Sequence, residues 1–353
     1  MRVGFVYPYI FGEDAYPRDI YRLCNEITRL GKVEIVPIPS APLKGNRAKL
    51  GIAEIAILPE LMRQIKTLDR IHFFGFFSPG YPLLAQLIKT RKVPYWVSPL
   101  GQLLPYALAE KNFKKDVFLK IMGKNFLQNA ERIHAFTSNE VEAIRALGID
   151  TACVKHSLGI YFEDTPANAE ELPSLIDQPY LLCMGRLSVK HKGIDIVLDG
   201  FAEYIRAGNS KFRLVIAGRS WHGSHAYIQA RIEELNLHER VTFMGEVSLE
   251  NKFSLMQHCA ALLYPTRHDG PPRPIRDALA LRKRVLITFE ANIIDDMQSL
   301  GWGYQFAPNP LALSRAIHAL AAETASPVYV DPVSVLSWDK IALDFSNSYL
   351  EMK

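Results

Sequence analysis

The strongest constraint on the fold is a pattern that runs twice: short β-rich runs alternate with helical stretches, stop at an acidic segment, and start again. The first series is "RVGFVYPY", a helix near 14–30, "VEIVPIP", a helix near 51–65, "RIHFFG", a helix near 80–90, and "VPYWVSP". A long helix near 105–129, "RIHAFTS", another helix and "TACVKHS" complete it. The second series has strands at "YLLCMG", "KFRLVIAG", "RVTFMG", "AALLYP" and "KRVLIT", with helical segments between most of them. Strands alternating with helices form parallel sheet through right-handed crossovers. In "GIDIVLDGFAEYI" the apolar residues Ile194, Val197, Leu198, Phe201 and Ile205 recur at helical spacing, so a helix packs on the preceding strand. The expected fold class is α/β, two doubly wound Rossmann-like domains facing across a cleft. Such sheets take ligands beyond the carboxyl ends of their strands, which makes the cleft the expected site.

At 353 residues the chain is long enough for two such cores. Residues 163–178, "EDTPANAEELPSLIDQ", lack periodicity and mark the break. The expected boundaries are an N-terminal domain over 1–165, a linker over 166–178 and a C-terminal domain over 179–335. Apolar residues at 48% and charged residues at 22% exclude a disordered chain. A net charge of +4 is too mild to argue for nucleic acid. The opening "MRVGFVYPYI" lacks the pattern of a secretory signal, and no apolar run approaches the roughly 20 residues that cross a bilayer. Cys24, Cys153, Cys183 and Cys259 are far apart and form no CxxC pair, and they read as reduced, buried thiols of a cytoplasmic protein.

Two segments can carry chemistry. Strand "YLLCM" runs into "GRLSVKHKGID", where Gly185 and Gly193 flank Arg186, Lys190 and Lys192. Backbone amides, helix dipole and cationic side chains together suit a phosphate or diphosphate, although a solvated loop with ordinary surface lysines has the same composition. The second segment is "RHDGPPRPIRDALALRKRVLIT". Asp269 and Gly270 fall beyond the carboxyl end of "ALLYPT", and Pro274 suits the first turn of the next helix. Asp277 then falls in that first turn, where the dipole favours an acid on structural grounds alone.

In their order along the chain these pieces resemble the retaining GT-B glycosyltransferases of group 1, and the resemblance covers nearly the whole sequence. It implies that Gly185, Arg186 and Lys192 of "GRL…KG" grip a nucleotide diphosphate donor, with Gly218, Gly270 and Arg273 lining the same site. Two family glutamates eight positions apart match Asp269, which would orient the transferred sugar, and Asp277, which would hold the ribose hydroxyls. By the same resemblance, Asp269, Arg186 and Lys192 are the catalytic residues, and the two cations replace a metal. No D-x-D occurs, no metal site is expected, and no cofactor beyond the donor is implied. Gly12, and Gly101 and Gln102 in "SPLGQL", match the acceptor side, although a simple turn would also explain Gly12. The tail over 336–353 resembles a last helix that crosses back to the N-terminal domain. The implied enzyme is a metal-independent hexosyl- or deoxyhexosyl-transferase serving a saccharide or lipid-linked acceptor in bacterial surface polysaccharide synthesis.

The sequence departs from the family in three ways. Each Asp reaches roughly 1.5 Å less far than a Glu. Pro271, Pro272 and Pro274 offer no N–H where the family has amides. Arg273 stands among them as a compensating cation. These departures leave open a second reading, a catalytically weak sugar-nucleotide or glycan binding protein on the same fold. An NAD oxidoreductase is disfavoured because no G-x-G-x-x-G follows a strand.

Other features have plainer accounts. His268-Asp269 has no second HD doublet to make a metal site, and His72, His134 and His156 read as core or cleft-wall histidines. The basic helix near 108–126, with Lys111, Lys114, Lys115, Lys120 and Lys124 beside Phe113, Val117, Phe118 and Ile121, allows two readings. It either lies on the anionic inner face of a membrane or packs its apolar stripe on the sheet and turns its lysines to water.

Overall fold

The computed structural model describes residues 1–8, 15–40, 62–109, 112–162, 178–295, 297–323 and 329–351. Gly12, Lys111, most of the helix expected near 51–65 and nearly all of the expected linker lie outside these residues. The chain divides into two compact units, residues 1–159 with 336–353, and residues 160–335.

The first unit is a parallel sheet of six strands: β1 (Arg2–Pro8), β2 (Glu34–Ser40), β3 (Arg70–Phe74), β4 (Tyr95–Ser98), β5 (Arg132–Ala135) and β6 (Cys153–Lys155). Their order is β2-β1-β3-β4-β5-β6. Every residue of β3 and β4 is buried, as expected of central parallel strands covered on both faces. The C-terminal helix Trp338–Leu350 packs in this unit beside the helix Ala15–Arg29, and Arg29 pairs with Asp339. Gly159, after β6, lets the start of the C-terminal helix approach closely, since a Cβ there would lie 2.4 Å from the Trp338 ring.

A buried polar chain joins that last helix to the sheet. The Tyr349 hydroxyl lies 2.6 Å from His72 Nδ1, His72 Nε2 lies 2.7 Å from Ser98 Oγ, and Ser98 Oγ lies 2.7 Å from His134 Nδ1. His134 Nε2 lies 2.9 Å from the carbonyl of His156. A carbonyl only accepts, so Nε2 of His134 carries the proton and Nδ1 accepts from Ser98. Ser98 then accepts from His72 Nε2, and His72 Nδ1 accepts from Tyr349. One carbonyl therefore sets every tautomer along the chain, and His72 and His134 are satisfied core histidines.

The single helix expected near 105–129 is instead a series: Pro105–Ala109, Asn112–Phe118, a π-helical turn over Leu119–Gly123, and Lys124–Gln128. The wider turn rotates the faces of the helix. Leu119, Phe126 and Leu127 pack inward, while Phe113 stays 81% exposed, Ile121 72% and Val117 39%. An apolar stripe packed wholly on the sheet is thus not what forms.

The second unit is also a six-stranded parallel sheet: β7 (Tyr180–Met184), β8 (Arg213–Ala217), β9 (Val241–Gly245), β10 (Ala261–Tyr264), β11 (Arg284–Thr288) and β12 (Gly303–Phe306). The order is β12-β11-β10-β7-β8-β9, so the strand order reverses between β7 and β10. The helix Ile194–Arg206 buries Ile194, Val197, Leu198 and Phe201 as its spacing requires. Strand β12 was not legible in the sequence, because "GYQF" is a short edge strand with two half-exposed positions. The four cysteines are free thiols; Cys24, Cys183 and Cys259 are buried, and Cys153 is half-buried.

Candidate functional site

Loops leaving β7, β8 and β10 meet beside the reversal of strand order in the second unit, which is where a doubly wound sheet holds a ligand. Gly185 follows β7 with φ +137° and Gly218 follows β8 with φ +148°. A Cβ on Gly218 would lie 1.8 Å from the Gly185 carbonyl oxygen, so the two turns approach as only glycine allows. Leu187 N–H donates to the Arg219 carbonyl at 2.9 Å, tying the loops together beyond that point. A Cβ on Gly185 would sit 3.7 Å from Pro274, which brings the start of the helix Arg273–Ala280 against the β7 loop.

Arg186 is exposed in this angle, with its guanidinium over the Trp221 ring at 4.6 Å from the centroid. Among the described residues no acid or carbonyl takes its N–H groups. Lys192 ends the short helix Val189–Lys192. Gly193 follows with φ +69°, where a Cβ would lie 2.0 Å from the Pro265 carbonyl oxygen. That approach brings Lys192 against the β10 loop, and its ammonium pairs with Asp269. The Tyr264 hydroxyl donates to the same carboxylate oxygen at 3.0 Å, and the Asp269 amide donates to the Glu290 carbonyl at 2.9 Å. Burial, reinforced by Asp269, holds the Tyr264 hydroxyl well above its ordinary pKa, so it remains a donor.

His191 and His268 stack at 4.1 Å, and the Thr266 hydroxyl spans their two carbonyls at 3.0 and 2.9 Å. Burial pushes His191 down to about 4, so its neutral ring packs against His268 and fixes the loop before Asp269.

Gly270, Pro271 and Pro272 are buried. Pro272 sits at the N-cap, the helix begins at Arg273, and Pro274 takes its second position. Asp277 is therefore the fifth helical residue, beyond the first turn in which it was expected, and dipole stabilisation there does not account for it. Its side chain is only 2% exposed, with one oxygen 2.5 Å from Lys252 Nζ and the other 3.6 Å from Arg273 Nε. The Arg273 guanidinium lies over Tyr161 at 5.0 Å, and the fully buried Arg276 lies over the same ring at 5.7 Å.

The sequence reading missed Trp221, Lys252, Tyr264 and Glu290. Lys252 had a faint signal, a cation in the helix Leu249–His258 directly before the buried Phe253, Ser254, Leu255 and Met256. Glu290 had none; one of its carboxylate oxygens is buried without a hydrogen-bond partner, and burial raises its pKa.

Gly101 and Gln102 lie in the first unit and brace its loops. Gly101, at φ +76°, donates its amide to the buried Glu140 at 2.7 Å, and the other Glu140 oxygen accepts from the Phe136 amide at 2.9 Å. Gln102 Oε1 accepts from the amides of Phe76 and Phe77 at 2.7 and 3.3 Å. The residues assigned to the donor from sequence are thus gathered in one region of the second unit. Of the three assigned to the acceptor, two have structural partners and Gly12 is not described.

Residues 178–323 match the family described as glycosyl transferases group 1. No curated protein matches the sequence. The fold is similar to that of sucrose-phosphate synthase from Thermosynechococcus elongatus, at TM-score 0.68 and 16% identity, covering 100% of this chain and 99% of that one. The lipopolysaccharide outer core galactosyltransferase WaaB in its apo form gives TM-score 0.68 at 15% identity, with both chains fully covered. HepE of Anabaena in complex with UDP gives TM-score 0.70 at 13% identity, again over all of both chains, and HepE has also been solved with UDP-glucose.

Proposed function

We propose that the chain, whose residues 178–323 match the group 1 glycosyl transferases and whose fold is that of GT-B transferases, is a retaining transferase using a nucleotide diphosphate sugar. The observation that carries this reading is Arg186, a guanidinium at the carboxyl end of β7 that lies over the Trp221 ring and has no acid partner among the described residues. A guanidinium held on a ring face keeps its in-plane N–H donors available, and those donors suit a diphosphate. The UDP and UDP-glucose complexes of HepE support the same donor class.

In the reaction we propose, an acceptor hydroxyl attacks the anomeric carbon on the face from which the diphosphate departs. The bond to the diphosphate breaks, and the hydroxyl proton passes to the leaving oxygen. Arg186 and Lys192 stabilise the charge that builds there, which is the electrostatic work a metal does in other transferases. Asp269, fixed by Lys192 and Tyr264, accepts a hydroxyl of the hexosyl or deoxyhexosyl group. Asp277 accepts from the ribose and shares its charge with Lys252 and Arg273. Gly185, Gly218 and Gly270 keep side chains out of the donor's path.

The acceptor is a saccharide or lipid-linked saccharide of surface polysaccharide synthesis, taken from the inner face of the membrane. The exposed Phe113, Val117 and Ile121 beside the exposed Lys114 and Lys120 support contact with an anionic bilayer. Among the described residues no helix is long and apolar enough to cross one.

Thermal-shift screening against UDP-, GDP- and dTDP-sugars tests the donor, because a ligand of the folded state raises the melting temperature. A rise with one base that Arg186→Ala abolishes is the expected result. An inverted anomeric linkage in the product sinks the retaining mechanism. The alternative, a catalytically weak binding protein, draws on the pairing of both acids with lysines, and donor turnover unaffected by Asp269→Asn favours it.

A further inference from the structure

We propose that Trp221 is a positioning residue for the diphosphate arginine: its indole face holds the Arg186 guanidinium flat, so that the N–H edges project toward the donor. The inference rests on the donor-site reading above and extends it to a residue outside the family's acid pair and cationic pair.

Arg186 and Trp221 are thirty-five positions apart, and the backbone brings them together. The Gly185 and Gly218 turns touch, and Leu187 and Ser220 then form an isolated parallel bridge that fixes the register of the two loops. Trp221 is itself anchored. Its amide donates to Ser224 Oγ at 3.0 Å, its carbonyl accepts from the Ser224 amide at 3.2 Å, and Ser224 is 1% exposed at the start of the helix Ser224–Glu234. The His222 ring packs against the indole at 4.8 Å and 77°.

An indole that is 37% exposed beside a phosphate loop could instead stack a nucleobase. The Arg186 guanidinium already covers a ring face at 4.6 Å, so the geometry favours the positioning role. A guanidinium stacked on a ring keeps its in-plane donors free, whereas a carboxylate partner would occupy them. The arrangement fixes a long side chain without neutralising it. Less rotamer freedom is then lost when a diphosphate binds.

Calorimetric titration of the full chain with UDP, GDP, ADP and dTDP, for wild type, Trp221→Ala, Trp221→Phe, Arg186→Ala and the Trp221→Ala/Arg186→Ala double variant, tests the proposal. Trp221→Ala is expected to weaken the best nucleotide by roughly fivefold, the scale of a partly exposed cation–π contact. Trp221→Phe should recover much of that loss. In the Arg186→Ala background the tryptophan change should have no further effect, which a merely structural role at Trp221 does not predict. If Trp221→Ala weakens binding equally in both backgrounds, the ring touches the ligand itself and the positioning role is wrong. Unchanged affinity in Trp221→Ala also overturns it. Failure of the wild type to bind any of the four nucleotides refutes the donor reading and takes this proposal with it. Should Trp221→Ala not fold, the Phe variant alone and in the Arg186→Ala background gives the same comparison on a smaller scale.

Discussion

Lowering the pH to 5 should release the C-terminal helix from the first sheet before the rest of that unit unfolds. The perturbation acts on the chain from Tyr349 through His72 and Ser98 to His134. Burial holds His72 well below its ordinary value and pushes His134 down to about 3. In the unfolded chain a histidine titrates near 6.5. Above that value both states are neutral and the chain is worth its full hydrogen bonding. Below it the unfolded state takes up protons that the folded state refuses, so stability falls as the pH falls. At pH 5 each such histidine forfeits about 2 kcal/mol, or about 4 kcal/mol for the pair, set against a usual domain stability of roughly 5–15 kcal/mol. The charged groups around the chain are Arg70, bound bidentately to Glu131 and to the Tyr349 carbonyl, and Asp344 and Lys340 near His156. His156 is driven down to about 4 and adds a smaller share because it is less covered. Since His191 in the second unit is also depressed, a global melt does not isolate the effect. Hydrogen exchange resolved to residues 338–350 does, and protection there should fall by two to three orders of magnitude between pH 7.5 and pH 5 after correction for the intrinsic rate, about 4 kcal/mol. Protection that is unchanged after that correction would refute the argument.

Two further outcomes are expected. Lys252→Met should destabilise the second unit by about 3 kcal/mol, since it leaves Asp277 buried beside a single, more distant cation, and adding Asp277→Asn should restore most of the loss in urea titrations; a single-variant loss below about 0.5 kcal/mol contradicts the buried pair. In flotation assays the protein should bind vesicles of phosphatidylglycerol and phosphatidylcholine but not phosphatidylcholine alone, and Phe113→Asp with Ile121→Asp should reduce binding by at least about tenfold, whereas an unchanged double variant rules the exposed stripe out as the contact.

The alternation of strands and helices and the placement of the two key loops at carboxyl ends of strands were legible because each depends on local periodicity and on glycine at turns. The helix spacing at Ile194, Val197, Leu198 and Phe201 and the turns at Gly185 and Gly193 are examples. Features set by partners distant in sequence were not legible. Lys252 and Asp277 meet across twenty-five positions and Arg186 and Trp221 across thirty-five, and nothing local marks either pair. The π-helical turn at Leu119–Gly123 failed for a related reason. Its sequence is a good helix, and Gly123 lies where a Cβ would meet the Phe76 ring at 2.7 Å, from a strand–loop segment more than forty positions earlier. Edge strand β12 carries too little apolar periodicity to stand out.

The shortened acids and the added cations of the second unit form one physical arrangement. Asp269 and Asp277 each lack a methylene relative to the glutamates they match, and each is met by a lysine, Lys192 and Lys252, whose four-carbon stem crosses the distance the acid no longer spans. Each lysine shares its charge with its acid, and Arg186 and Arg273 are the less compensated cations nearby. Both guanidiniums lie over aromatic rings, Trp221 and Tyr161; among the described residues Arg186 has no acid partner and Arg273 only the more distant oxygen of Asp277. The prolines at 271, 272 and 274 are compatible with this division, because a site whose anion contacts come from stacked arginines makes little demand on amides in the loop between them. Rigidity then serves the same end: with Pro272 at the N-cap of the helix that starts at Arg273, the guanidinium and the Asp277 carboxylate one turn later keep a fixed separation, so the proposed donor would meet charges already in place.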